Sequence, residues 1–451
     1  MDRWVSKLRR TFANDHRCVF YLFSAGGILL FFLLSLRYGN RMYVWMVQEN
    51  EPGNRFSDYF AHLGLTVDRN HLYENVGWDA MGCFPPLAYC MYYLLYKLTA
   101  VRGFLPEGRQ STETIPGALP VMTYYLIFNA LLFFLAISVT GERKRKRDLA
   151  IFSLLMLSAV FSGSGYLAAN STMLVLAILV AAFHLKDSRQ AWEREISLVF
   201  FAVCVALKLY PAVFGLLFLK EKRYRELLRL ILYSMILLFG PFVFFGGFRG
   251  FCFWIRHITN TMHYTNFGRL QYLLGIFYTG LKMFFGIDNK AVCAVLTVLV
   301  CLLWTWLAWR SRSRYREVFF LICIMVFFPA NAYRYSLSYF AIPLIMYLKE
   351  EQPETPRRWP GRLAMGLYGL LYTIPVWWLA VIPLSRRYQF YTLTSVEIWL
   401  YLVMYTLIAV LMTAEITARH PEKPAGPDAG CIRKSSFSNE RKDEQYENRE
   451  G

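Results

Sequence analysis

One lysine lies inside an otherwise apolar stretch of the chain. Lys208 is the single charged residue in the run 196–219, three residues before Pro211. An ammonium group at membrane depth is costly and marks a functional site, unless its long side chain extends to the membrane surface. Because apolar residues flank Lys208 on both sides, the sequence favours a functional role, such as binding an anionic group.

A second candidate cation occurs in the segment FFPANAYRYSLSYFAIPL (327–344). Arg334 lies between two short apolar runs, and a planar guanidinium suits bidentate recognition of phosphate. Tyr333, Tyr335 and Tyr339 add aromatic faces and hydroxyl groups near it. The same pattern is also typical of an aromatic belt with an interfacial anchor. The residues alone leave both interpretations open.

Acidic and imidazole groups occur together in the segment RFSDYFAHLGL (55–65). Its apolar residues recur at helical spacing, and Arg55, Asp58 and His62 share the opposite face. This pattern predicts a short amphipathic helix lying at the membrane surface. Its polar face either carries chemistry or is a solvated face on which Asp58 pairs with a neighbouring basic residue.

Two further segments have polar or backbone-fixing residues next to apolar runs. The prolines of CFPPLAY (83–89) fix the backbone where the chain re-enters the membrane, or form a plain turn. In GYLAANSTMLVLAILVAAF (165–183), Asn170 opens an apolar helix and could cap its first turn. Asn170 also begins a glycosylation sequon, which we discount because it adjoins the apolar run.

The elements that must position these residues are membrane helices. The chain is 56% hydrophobic and only 18% charged, whereas soluble domains carry about 25% charged residues. Repeated apolar runs predict an all-α polytopic membrane protein with roughly 10–12 transmembrane helices, some of them broken or re-entrant. The net charge of +18 falls in short clusters between runs, which is typical of cytoplasmic loops rather than of a nucleic-acid-binding surface.

The positive-inside rule sets the expected topology. We expect a cytoplasmic N-terminus, a transmembrane domain with two large extracytoplasmic loops, and a disordered cytoplasmic tail. The N-terminus is residues 1–17 and the transmembrane domain is residues 18–416. The two loops are residues 38–83 and 248–288, and the tail is residues 417–451.

This topology requires broken segments. Two full crossings by 84–101 and 118–140 would place the basic cluster GERKRKRD (141–148) outside. The run 196–219 has basic clusters on both sides, yet two crossings need about 40 residues. We therefore expect 84–101 and 196–219 to be broken at their prolines, since irregular backbone is tolerated where it lines a polar cavity. Alternatively, two basic loops lie outside.

Four elements, in this order, resemble glycosyltransferase family 87 of the GT-C superfamily. They are Asp58 in the first outside loop, the turn Phe84-Pro85-Pro86, the helix opening in 165–183, and Lys208-Leu209-Tyr210-Pro211 followed by KEKRYRELLR (220–229). The nearest resemblance is to polyprenol-phosphate-mannose-dependent mannosyltransferases. The chain departs from the pattern in AYRYS (332–336), where relatives often place a histidine.

The resemblance implies a GT-C-like fold and an inverting transfer of mannose or another hexose outside a bacterial plasma membrane. The donor would be a polyprenyl-phosphate sugar, the acceptor a glycolipid or glycan, with no metal and no separate cofactor. Asp58 would act as general base, and Lys208 and Arg334 would hold the donor phosphate. The remaining candidates for substrate contact are His62, Asn170, Tyr333 and Tyr335.

Two other functions are compatible with broken helices and a buried charge. A lipid-linked-oligosaccharide flippase or transporter would share both features, although no clear repeat relates the two halves of the chain. An envelope polysaccharide polymerase would also act on lipid-linked sugars, but usually with its large loop between late spans.

Overall fold

A computed structural model describes most of the membrane part of the chain. The described residues are 16–39, 57–66, 68–74, 82–99, 118–141, 144–158, 160–161, 169, 171–263, 272–329, 334–349, 358–372 and 395–417. Within them the chain is helical and contains no strand. Asn170 and Tyr333 lie outside the described residues, as do the tail from 418 onward and most of 38–56.

The structure describes sixteen α-helices, numbered here in chain order. They are α1 (Arg17–Tyr38), α2 (Ser57–Leu65), α3 (Pro86–Leu98), α4 (Ala118–Val139), α5 (Arg145–Met156), α6 (Thr172–Leu185), α7 (Ala191–Leu207), α8 (Gly215–Lys220), α9 (Tyr224–Phe239), α10 (Gly247–His263), α11 (Leu273–Phe285), α12 (Lys290–Arg310), α13 (Arg314–Phe327), α14 (Ala341–Lys349), α15 (Arg358–Leu371) and α16 (Ser395–Ile416). Short 3-10 helices span Arg69–His71, Tyr210–Phe214, Gly240–Phe244 and Arg334–Phe340.

Five helical segments in the described ranges are apolar and long enough to cross a membrane. They are Arg17–Tyr38, Leu119–Val139, Tyr224–Phe244, Lys290–Arg310 and Trp399–Ile416. Large apolar side chains on their outer faces, such as Leu299 and Leu302 of α12, are exposed, as expected for helices that face lipid rather than water. The predicted all-α polytopic membrane architecture is confirmed.

Ion pairs gather many of the basic loops at one end of the bundle. Lys186 Nζ lies 2.5 Å from Glu221 Oε2, and Arg314 Nη1 donates to Glu221 Oε1 at 2.6 Å. At the same end, Lys349 Nζ lies 2.8 Å from Asp148 Oδ1. The first set joins the segments before α7 and α9 to the start of α13, and the second joins the start of α5 to the end of α14. We call this region the charged end.

The segment between α6 and α9 enters and leaves the bundle at the charged end. Helix α7 ends at Leu207, and the chain turns back through the 3-10 helix Tyr210–Phe214 into α8. Lys186 before α7 and Glu221 after α8 are in contact, so both flanks of this hairpin lie together. The break predicted within 196–219 is therefore confirmed, and it falls at Lys208 and Pro211.

Helix α3 is also too short to cross. Its 13 residues span about 20 Å, against about 30 Å for a hydrocarbon core. It begins at Pro86 directly after Pro85, a position where proline suits the first helical turn. Arg69 lies 5.7 Å from the ring centroid of Tyr93, so α3 packs beside the segment that precedes it, at the end of the bundle away from the charged end.

Candidate active site

Lys208 lies at the break between α7 and the 3-10 helix that follows. Its backbone is extended, with φ −152° and ψ 122°, and the helix ends four residues before Pro211, whose ring would clash with the Leu207 carbonyl in a continued α-helix. The side chain is 3% exposed. Its Nζ donates a hydrogen bond to Thr172 Oγ1, at the first residue of α6, over 2.8 Å. The lysine is thus anchored inside the bundle and does not extend to the surface.

Three aromatic rings from different parts of the chain surround this ammonium group. Lys208 Nζ lies 4.9 Å from the ring centroid of Tyr335, 5.0 Å from that of Phe84 and 5.7 Å from that of Tyr210. Ring faces attract a cation most strongly where water is excluded. Tyr210 Oη in turn lies 3.4 Å from Tyr339 Oη. The arrangement stabilises a positive charge in a buried site.

Helix α2 brings an acid and an imidazole to the same place. The Asp58 carboxylate is half-buried and interacts electrostatically with Lys208. His62 is buried, its ring centroid lies 4.3 Å from that of Phe84, and its Nδ1 lies 3.3 Å from Tyr89 Oη. Asp58, His62 and Lys208, which are far apart in the chain, therefore belong to one site.

Protein side chains cover both faces of α2. Phe60 and Leu63, on its apolar face, are buried as completely as His62 on the other face. The aromatic side chains of α3 and α4 cover the helix, with Tyr59 packing against Tyr92 and Tyr125. The helix is an interior element, which holds its acid more rigidly than a surface helix would.

Burial determines the protonation of His62. Loss of solvent lowers its pKa to about 3, and the positive charge of Lys208 lowers it further in the same direction. The imidazole is therefore neutral between pH 5 and 8 and is a poor proton acceptor. Of the two groups on α2, Asp58 is the better candidate for a general base.

The Pro-Pro turn is fixed by hydrogen bonds from two neighbouring segments. Tyr73 Oη donates to the carbonyl oxygen of Phe84 at 3.1 Å, and Trp254 Nε1 of α10 donates to that of Cys83 at 3.3 Å. Gly82, just before the turn, has φ +85°, a conformation that favours glycine. These contacts place the Phe84 ring between His62 and Lys208.

The structure gathers four of the seven predicted site residues. Asp58, His62, Lys208 and Tyr335 meet as described above. Arg334 is described only as the first residue of the 3-10 helix Arg334–Phe340. Ser171 directly precedes α6, and Asn170, which could cap this helix, lies outside the described residues.

Sequence reasoning missed three of the groups that contact Lys208 directly. Thr172 is 36 residues away, and no spacing rule relates the two. The Phe84 ring belonged to a recognised turn motif, but only its prolines had been given a role. Tyr210, two residues after Lys208, is the contact that proximity along the chain could have suggested.

The fold and site together define a polytopic membrane protein with a buried polar site where broken helices meet. Among the described side chains, no group of three His, Cys, Asp or Glu residues could hold a metal ion. Glycosyltransferase family 87 matches residues 114–332, just under half of the 451-residue chain. This match confirms the resemblance to family 87 seen in the sequence and supports a membrane glycosyltransferase. The match includes Thr172 and Lys208, while Asp58 lies upstream of it. No curated protein matches the chain.

Proposed function

We propose that this glycosyltransferase moves a hexose, such as mannose, from a polyprenyl-phosphate donor to a glycolipid or glycan acceptor, with inversion. The observation that carries the proposal is the buried ammonium of Lys208 beside the half-buried carboxylate of Asp58. The Lys208 ammonium suits a phosphate that gains negative charge, and the Asp58 carboxylate suits a hydroxyl that loses a proton.

Lys208 is the proposed ligand of the donor phosphate. When the sugar leaves, the lipid phosphate gains negative charge, and a preorganised cation in a water-excluded site stabilises it. Thr172 takes one of the three ammonium N–H donors, and the other two are suited to phosphate oxygens. Arg334 is the proposed second cation, because it begins the 3-10 helix that also carries Tyr335.

Asp58 is the proposed general base. In this reaction the carboxylate accepts the proton of an acceptor hydroxyl, whose oxygen bonds to the anomeric carbon. The bond between that carbon and the phosphate oxygen breaks, and the bonding electron pair leaves with the polyprenyl phosphate. Attack from the face opposite the leaving group inverts the configuration. Tyr335, with Tyr333 and Asn170, is proposed to contact the substrates.

The proposed site faces the outside of a bacterial plasma membrane. Lys208 and the charged end lie at opposite ends of α6, since Thr172 begins this helix and Lys186 follows it. The positive-inside rule favours a cytoplasmic charged end, which would leave the site near the opposite leaflet. A polyprenyl tail could then remain in the bilayer while its phosphate enters between helices.

Transfer by the purified protein in lipid nanodiscs tests the proposal. The assay supplies radiolabelled polyprenyl-phosphate mannose or glucose with membrane lipids, and detects glycosylated product. We expect Asp58→Asn to lower kcat by about 100-fold or more. Lys208→Met should raise the donor KM by about 10-fold to 100-fold, because a charged hydrogen bond contributes about 1.5–3 kcal/mol.

Lys282→Met is the matched control, since this exposed lysine pairs with Asp288 and has no contact with the site in the described structure. It should transfer at the wild-type rate. Wild-type turnover in Asp58→Asn would exclude the proposed base, and an unchanged donor KM in Lys208→Met would exclude the phosphate contact. Movement of lipid-linked sugar across the membrane without any glycosylated product would favour a flippase instead.

A further inference from the structure

A cluster of hydroxyl and amide groups lies next to Asp58 in the protein interior. The cluster consists of Tyr59 of α2, Tyr92 of α3, and Tyr125 and Asn129 of α4. The Tyr59 ring centroid lies 6.3 Å from that of Tyr92 and 6.0 Å from that of Tyr125. All four residues are buried, so three separate helices direct polar side chains into one interior region, which we call the hydroxyl cluster.

Four polar atoms of the hydroxyl cluster lack a hydrogen-bond partner in the described part of the chain. Tyr59 Oη, Tyr92 Oη and both amide atoms of Asn129 are buried and make no well-formed hydrogen bond to any described residue. Tyr125, one helical turn earlier on α4, interacts with the Asn129 side chain. Each such group costs about 1–3 kcal/mol, and buried polar atoms are nearly always satisfied in native proteins.

Asn129 adds to this cost because it lies within a membrane-spanning helix. Its segment, Leu119–Val139, is one of the five long apolar spans. Polar side chains in such spans are expensive and usually face a functional cavity. A group of four unsatisfied polar atoms in one place therefore indicates a ligand that supplies the missing hydrogen bonds.

His62 contacts both the hydroxyl cluster and the Phe84 ring beside Lys208. The His62 ring centroid is 5.2 Å from that of Tyr92 and 4.3 Å from that of Phe84, whose ring lies 5.0 Å from Lys208 Nζ. The Asp58 carboxylate interacts electrostatically with both Lys208 and Tyr92. Asp58 thus lies within electrostatic reach of both the cation and the hydroxyl cluster.

The chemistry of the hydroxyl cluster suits a neutral, polyhydroxylated ring. Tyrosine hydroxyls and the asparagine amide both donate and accept hydrogen bonds, as sugar hydroxyls do. The three aromatic rings offer apolar faces for the C–H side of a pyranose. None of the four residues carries a charge at neutral pH, so an anionic group would find no counter-charge from them.

We propose that the hydroxyl cluster is the acceptor subsite and binds the terminal sugar ring of the glycolipid or glycan acceptor. Its assignment as acceptor rather than donor subsite rests on the proposed function, in which Asp58 deprotonates the acceptor and Lys208 holds the donor phosphate. The bound ring supplies partners for the unsatisfied atoms and presents one hydroxyl to Asp58.

Direct binding without any donor tests this subsite. The protein in lipid nanodiscs is titrated by calorimetry with octyl α-mannoside below its micellar concentration, and with octanol as a probe of the alkyl tail alone. We expect Tyr92→Phe to weaken octyl α-mannoside binding about 5-fold, the effect of one neutral hydrogen bond. Asn129→Leu, which removes two polar atoms, should weaken it by about 10-fold or more.

Tyr124→Phe is the matched control, because this tyrosine precedes Tyr125 but is exposed on the outer face of α4. It should bind octyl α-mannoside as the wild type does, and octanol should not distinguish the variants. Absence of saturable mannoside binding by the wild type would overturn the subsite, as would unchanged affinity in both cluster variants.

Thermal unfolding separates a sugar subsite from a cluster of structural waters. Removing an unsatisfied hydroxyl is neutral or stabilising, whereas removing one bonded to fixed water destabilises. A lower unfolding temperature of Tyr92→Phe with unchanged mannoside affinity would therefore overturn the inference. Wild-type protein that binds octyl α-mannoside through these residues but transfers no hexose would instead overturn the proposed reaction.

Discussion

Glu221 connects three loops at the charged end, and its replacement tests the hairpin geometry directly. Its carboxylate lies 2.5 Å from Lys186 Nζ and accepts a hydrogen bond from Arg314 Nη1 at 2.6 Å. The Lys186 side chain is 0% exposed, and its other acidic partner, Asp187, is 58% exposed. Glu221→Gln therefore leaves a buried ammonium with one solvated partner.

The expected loss of stability follows from the burial and from the pKa. Breaking a fully buried ion pair costs about 3–5 kcal/mol, but Glu221 is one-quarter exposed and Asp187 remains, so we expect about 2–3 kcal/mol. Burial alone would raise the pKa of Glu221, but hydrogen bonds from Lys186 and Arg314 outweigh it and lower the pKa from 4.5 to about 2. A shift of this size corresponds to about 3 kcal/mol at neutral pH.

The sign of the pH dependence is fixed by the same shift. The unfolded carboxyl binds a proton at a higher pH than the folded one. The stabilisation is therefore fully present above about pH 4.5 and is lost as the pH falls through about 2. Glu221→Gln should remove this acid-dependent part of the unfolding free energy.

Equilibrium unfolding in detergent micelles, followed by far-UV circular dichroism, measures the effect. Asp288→Asn is the control, because its pair with Lys282 spans 3.0 Å but both side chains are 55% exposed, and such pairs contribute about 0–1 kcal/mol. The double variant Lys186→Met/Glu221→Leu should recover at least half of the loss, since no buried charge remains. If Glu221→Gln lost no more unfolding free energy than Asp288→Asn, the proposal that the Lys186–Glu221 pair holds the two flanks of the α7–α8 hairpin together would be refuted.

Three further outcomes follow from the structure. Burial lowers the pKa of His62 to about 3, so the stability of the wild type should fall as the pH drops from about 6.5 to 3. In thermal unfolding, His62→Gln should lose this dependence of stability on pH. An equal pH dependence in the wild type and the variant would contradict the burial of His62. Gly369→Ala should cost about 1–3 kcal/mol, because its added carbon would lie 2.5 Å from a side chain of α1, whereas Gly366→Ala, with contacts of 3.7 Å, should unfold like the wild type. Cysteines placed at Arg69 and Lys222 should label from opposite sides of the membrane, and labelling from one side would refute the assigned ends of the bundle.

Much of the membrane architecture could be predicted from the sequence, because hydropathy is a local property. Each long apolar run predicts a span by its own length, and the basic clusters between runs predict which loops share a side. Lys208 stood out because it is the single charge in its run, and Pro211 identified the break beside it. Both features could be located without knowing which helices are neighbours.

The surroundings of these residues were decided by helix packing. Thr172, Phe84 and Tyr335 reach Lys208 from three distant segments, and no period in the sequence encodes those contacts. The helix period of 55–65 correctly separated Asp58 and His62 from the apolar residues, yet it could not show that aromatic side chains of α3 and α4 cover both faces. A period identifies faces of one helix, whereas burial depends on which other helices pack against them.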